Sequence, residues 1–223
     1  MRIIHSILIL VIALNSFGQV AIIQDKDGFT NVRKEPNAQS EIIFKILENK
    51  VFWYDYEENA DEGDWISIYI PKNDFSFACS EPDYIVGFIH KSRLLPLSKM
   101  ETYNGLDFGF EYEIQPFDST NRIIEKNNNP WVSAIDGRPV WGTDGELPKT
   151  EIKAINVKVN NKQISINRAF YNNLFECNNK FNVTKNGDTY FVYQSNSDGA
   201  GYYEVVWVLT ENGLKQRLVG RMF

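Results

Sequence analysis

Histidine is nearly missing from this chain. Of 223 residues only His5 and His90 carry an imidazole, and cysteine is as rare, with Cys79 and Cys177 alone. That scarcity excludes most of the common catalytic and metal chemistry. A Ser-His-Asp or Cys-His arrangement would have to recruit His90, and neither cysteine has a histidine close by in sequence. One internal histidine and two distant cysteines do not make a zinc set, so no metal and no cofactor is expected. In an oxidising compartment Cys79 and Cys177 have two readings: one disulfide joining the two halves of the chain, or two unpaired thiols. Spacing alone does not choose between them, because a bridge needs the two Cα atoms within reach.

An excess of basic charge is also lacking. The 23 Lys and Arg stand against 29 Asp and Glu. No basic stripe reverses this locally, which argues against nucleic-acid binding and against adhesion to anionic lipid. Long apolar runs are confined to the start. Residues 1–18 open with Arg2 and His5, run through an apolar stretch from Ile7 to Leu14, and end in Ser16-Phe17-Gly18. This is the pattern of an export signal, too short to span a bilayer comfortably. Cleavage is expected after Gly18, and no cysteine lies near it to direct lipidation. Without Arg2, the mature chain sets 22 basic residues against 29 acidic ones, a formal charge of −7. The expectation is an exported protein, periplasmic or secreted, with no stable membrane insertion after cleavage.

Helical periodicity is nearly absent, and no repeat or low-complexity tract is visible. Runs rich in Val, Ile, Phe and Tyr recur between turn signals instead, which predicts an all-β protein. Strands are expected near 20–24, 28–33, 41–47, 50–57, 64–70 and 84–90, with a short turn at 91–94 and a domain boundary within 96–106. A loop-rich stretch over 118–150 holds Trp131 and Trp141, a hairpin turns at Asn160-Asn161, and one short helix is expected over 167–175. Asn186-Gly187, Asp198-Gly199 and Asn212-Gly213 then separate runs at 181–184, 188–194, 202–209 and 214–221, an antiparallel meander. Its third run is apolar on both faces, as in a strand covered from two sides. The organisation expected is therefore 1–18 signal peptide, 19–98 first domain and 99–223 second domain, a β-meander or sandwich.

Three phrases in the first domain stand in a telling order: Gly28-Phe29-Thr30-Asn31-Val32-Arg33 followed by Pro36, then Gly63-Asp64-Trp65, then Gly87-Phe88-Ile89-His90. Glycines at tight corners with bulky residues between them suit a small five- to six-stranded barrel. The order resembles the bacterial SH3 family (SH3b), whose pattern is a glycine, Asn-Val-Arg and a proline, a Gly-x-Trp, and a closing Gly-Tyr/Phe-Ile. The resemblance covers residues 20–97 and implies an SH3-like barrel that binds peptidoglycan peptides or other proteins. It departs from the family in a longer connection over 71–83, which carries Phe75 and Phe77. The binding residues expected are Tyr54, Tyr56, Trp65, Phe75, Phe77 and Tyr84, with Asp55, Glu57 and Glu58 available to amino groups. Arg33 is expected to hold a loop through carbonyls, and Trp65 also has a packing role at the barrel end.

The favoured function is a non-enzymatic binding protein for wall peptide or for an envelope protein, the latter including an inhibitor or immunity role. The alternative is a carboxylate-dependent hydrolase in residues 100–223, drawing on Asp107, Glu111, Asp136, Asp144, Asp198 or Glu204. Asp25-x-Asp27-Gly28 and the acidic run 61–64 offer oxygen donors of the kind calcium takes, but neither completes a calcium loop, and turn chemistry explains them better.

Overall fold

The computed structural model describes residues 19–55, 63–75, 84–127 and 130–221. The protein is all-β, and its helical content among the described residues is a few three-residue turns. No described helix is long and apolar enough to cross a membrane.

The first half forms strands β1 (Val20–Ile23), β2 (Phe29–Arg33), β3 (Ile42–Leu47), β4 (Phe52–Tyr54), β5 (Trp65–Pro71), β6 (Tyr84–His90) and β7 (Leu94–Pro96), close to the runs expected. They make one antiparallel sheet in the order β3-β2-β6-β5-β4-β1-β7. Side chains alternate between its faces. One parity supplies an inner core of Ile23, Val32, Ile46, Phe52, Ile68, Ile70 and Ile89. The sheet is open where a small barrel was expected: β3 and β7 share no ladder, because β7 pairs with β1 alone.

The second half begins with β8 (Phe108–Pro116), paired over its whole length with β12 (Thr150–Val159), which turns back into β13 (Lys162–Ile164). A small sheet of β9 (Ile124–Lys126), β10 (Val132–Ile135) and β11 (Arg138–Pro139) lies within the loop-rich stretch. The helix expected over 167–175 is replaced by a single 3-10 turn, Arg168–Phe170. Asn167 caps that turn through Ala169 N–H, and bridges from Leu174 to Trp141 and from Phe175 to Glu151 then pull the chain straight. Tertiary pairing outcompetes the helical spacing of Phe170, Tyr171 and Leu174.

The meander is as expected: β14 (Asn182–Asn186), β15 (Thr189–Asn196), β16 (Tyr203–Thr210) and β17 (Gly213–Gly220), in that order. Every residue of β16 is buried. One face packs on β8 and β12 through Tyr190, Val192, Val205, Trp207 and Leu209. The other face packs on the first sheet, where Phe191, Tyr193, Val206, Val208 and Leu218 meet Val20, Ile22, Val51, Trp53 and Leu97. A polar clasp sits inside this second contact: Gln216 Oε1 accepts from Val51 N–H and Gln216 Nε2 donates to Val51 O, both at 2.9 Å. The two halves thus share a core.

Candidate binding cleft

The first sheet has an outer face as well as an inner one, and the meander covers only part of it. Trp53, Tyr69 and Tyr84 lie on the covered part, packed toward the second half. Farther along the same face, the three sequence phrases come together. Phe29, Asn31 and Arg33 of β2, Trp65 at the start of β5 and His90 at the end of β6 line an open cleft of about 490 Å³. Its rim is made of Asp25, Asp27, Ala38, Ser92 and Arg93.

Register explains the convergence. Trp65 is paired directly with His90, and Arg33 with Phe88, so all four side chains share one face. The Trp65 ring meets the His90 ring edge-on at 5.7 Å between centroids. His90 Nδ1 accepts from Ser92 N–H at 3.2 Å and lies 2.8 Å from Ser92 Oγ. A backbone N–H can only donate, so in the neutral ring the proton sits on Nε2. Arg33 donates from Nη1 to Ser40 O at 2.6 Å, holding the loop before β3 as expected. No carboxylate among the described residues pairs with Arg33. Lys45 lies over the Phe29 ring, 3.5 Å from its centroid.

Asp25 anchors the rim. Its carboxylate takes Arg93 Nη1 at 3.0 Å, Thr30 Oγ1 at 2.9 Å and Asp27 N–H at 3.3 Å. Burial opposes ionisation, but these hydrogen bonds and the Arg93 charge hold the carboxyl below its ordinary value. The Asp25-x-Asp27 pair is therefore a turn and an ion pair. Among the described residues no group of three His, Cys, Asp or Glu side chains is placed to hold a metal ion.

Of the six binding residues expected, Trp65 is the only one among the described residues that lines this cleft. Tyr54 pairs with Ile68 and packs on the inner core, opposite in parity to Trp65. Tyr84 stacks edge-on against Tyr69 toward the second half, 6.2 Å between centroids. Phe75 folds onto Phe170, 5.1 Å between ring centroids, and bridges to Arg217 of β17, so it packs on the second half and does not join this cleft. Tyr56, Phe77 and Cys79 lie outside the described residues, as do Glu57, Glu58 and most of the 71–83 connection. Cys177 is a free, buried thiol 2.9 Å from Tyr203 Oη, and burial pushes it up to about 12. Sequence reasoning missed Phe29, Arg33 and Arg93 as cleft residues. Their alternation with buried Thr30 and Val32 is the signal that places Phe29 and Arg33 on one exposed face.

The acidic candidates of the second half are dispersed. Asp107 takes hydrogen bonds from Tyr103 and Tyr190 and an ion pair from Lys185. Asp136 pairs with Arg122, which also holds Glu151. Glu204 is buried in the meander beneath Tyr193 and Tyr202, and Glu111 is exposed on β8. Asp144 and Asp198 do meet, lining an open cleft of about 480 Å³ with Glu146 and Glu176. Glu176 is already engaged, accepting from Lys149 N–H and from Thr150 N–H.

No family model, curated protein or solved structure matches this chain.

Proposed function

We propose that this chain is an exported, non-enzymatic binding protein of the cell envelope, and that its first sheet recognises a wall peptide or an envelope protein at the Phe29–Trp65–His90 cleft. The observation that carries the reading is the convergence of the three phrases: the residues that resemble the SH3b pattern line one open cleft. Aromatic surface from Trp65 and Phe29, flanked by Arg33, the His90 Nε2–H and the Asp25–Arg93 pair, suits an extended peptide carrying both apolar and charged groups. Export rests on the leader pattern of residues 1–18. The test is retention on purified peptidoglycan at physiological salt. Retention that drops severalfold in Trp65→Ala, at unchanged thermal stability, supports the wall-peptide form. Absence of retention sinks that form and leaves the envelope-protein form, which includes an inhibitor or immunity role.

A second reading, a carboxylate-dependent envelope hydrolase, draws on the meeting of Asp144 and Asp198 in one cleft. Release of soluble fragments from peptidoglycan that is abolished in Asp144→Asn and Asp198→Asn would favour it over the first.

A further inference from the structure

Strand β3 is an edge of the seven-stranded sheet, and it is an unusual edge. Ile42 is 50% exposed and Leu47 is 60% exposed, where solvated edges are ordinarily charged or capped by proline. Glu48 N–H donates to Gly28 O, which makes 28 and 48 a hydrogen-bonded pair. Antiparallel alternation then directs the amides and carbonyls of Phe44 and Ile46 into the β2 ladder, and turns those of Lys45 and Leu47 away from it. Leu47 O already accepts from Lys50 N–H at 3.3 Å in the turn that follows, whereas Lys45 N–H, Lys45 O and Leu47 N–H have no backbone partner among the described residues.

The edge does not face open solvent alone. Phe44, Lys45 and Leu47 form one wall of a cleft of about 400 Å³, whose other wall is the meander, with Thr189, Val208 and Thr210. Its charge is selective. Lys50 is neutralised by Asp74 at 2.5 Å, and Glu48 is engaged by Asn186 Nδ2. Lys45 and Lys215 line the same cleft with no acidic partner among the described residues. In a chain of net charge −6, this is a local excess of positive charge beside a bare strand edge.

We infer that the β3 edge and the cleft between the halves take an extended, acidic polypeptide segment of a partner protein, added as an antiparallel strand. The outward amide and carbonyl of Lys45 and the outward amide of Leu47 supply the main-chain bonds. Leu47 supplies apolar contact, and Lys45 and Lys215 select a carboxylate. A second copy of this chain is disfavoured as the occupant. Pairing two β3 strands about an axis through Lys45, which sets their outward-facing residues opposite one another, places Lys45 against Lys45, a like-charge pair directly opposite. This site touches the Phe29–Trp65–His90 cleft through one contact, Lys45 over the Phe29 ring, but the reading of it does not depend on the reading of that cleft.

The probes are fluorescein-labelled pentapeptides alternating Val and Thr, with Glu, Gln or Lys at the centre, titrated by fluorescence polarisation against the whole mature protein. The Glu peptide should bind about tenfold more tightly than the Lys peptide, a difference of about 1.4 kcal/mol. The charge-reversed variant Lys45→Glu/Lys215→Glu should invert that order. Lys45→Pro removes an outward N–H that serves no ladder bond, so it should abolish binding of the Glu peptide. Leu47→Ser supplies a second arm if the proline variant does not fold. Equal binding of the Glu and Lys peptides overturns the proposal, as does no binding of any of them up to about 1 mM. Light scattering that shows a dimer dissociated by Lys45→Pro also overturns it, in favour of a second copy.

Discussion

Replacing Gln216 by leucine should destabilise the whole protein by about 3 kcal/mol, although Gln216 lies far in sequence from the strands it supports. Val51 is fully buried and Gln216 is 3% exposed, so no solvent stands ready to replace what the side chain provides. The amide satisfies two backbone groups at once, accepting from Val51 N–H and donating to Val51 O. Leucine nearly matches the volume but leaves both groups bare. Each unsatisfied buried group costs about 1–3 kcal/mol, and the added apolar burial offsets about 1 kcal/mol of the total. Urea unfolding followed by tryptophan fluorescence should show a lower midpoint at an unchanged slope, since the surface exposed on unfolding is the same. Gln216→Glu should cost at least as much at neutral pH. It keeps an acceptor for Val51 N–H but sets a carboxylate oxygen against Val51 O. A loss below about 0.5 kcal/mol in the leucine variant would refute the reasoning and mean that the clasp is solvated or dispensable.

Gly87→Ala should cost about 1–3 kcal/mol, because a Cβ there would fall 2.7 Å from Val32 Cγ1 and 2.8 Å from the immovable Arg33 carbonyl oxygen; an unchanged melting temperature would count against it. Glu204 should make stability fall as pH rises. Burial, opposed by hydrogen bonds from Tyr202 and Tyr193, raises its pKa above the ordinary 4.5, so the folded chain holds the proton more tightly than the unfolded one. That contribution is fully present below 4.5 and is lost as pH climbs through the folded pKa. Glu204→Gln should remove it, seen as a smaller decline in melting temperature across that window; parallel curves for the two proteins would contradict this. Residues 100–223 expressed alone should not unfold cooperatively. They would expose Phe191, Tyr193, Val206, Val208 and Leu218 at about 1.5–3 kcal/mol each, a total comparable with the stability of a whole domain. A sharp urea transition for that fragment would show instead that the shared core is dispensable.

The elements legible in the sequence are those specified by local chemistry. Gly187 and Gly213 take the positive φ that their hairpin turns require, and the strands they separate fall within a residue or two of the expected runs. β16 reads as doubly covered because both of its faces are apolar, and both are buried. β8 was not foreseen, although Phe108, Phe110, Tyr112 and Ile114 alternate with Gly109, Glu111 and Glu113. Its partner strand lies some 40 positions onward, outside any local window, and its polar parity includes Glu111, one of the candidate acids. The short helix failed for a related reason. Its helical spacing was real, but pairing with Trp141 and Glu151 lay outside any local window.

The candidate cleft shows where such legibility stops. Trp53 and Trp65 lie on the same face of the first sheet, since Trp53 pairs with Tyr69 and Trp65 sits four residues before that tyrosine on β5. Parity alone would give them the same fate. Trp53 is 1% exposed beneath the meander, with its ring against Gly220, whereas Trp65 borders open space beside His90. What separates them is how far the second half reaches across the sheet, and no residue near either tryptophan encodes that reach. The aromatic run 52–56 offers Tyr54 and Tyr56 beside Asp55 as a binding surface on sequence grounds. One parity serves the inner core and the other serves the junction, so its described part has no face left for a ligand. The site falls on the part of the outer face that the meander leaves bare, where residues with fold-making roles also carry the exposed chemistry.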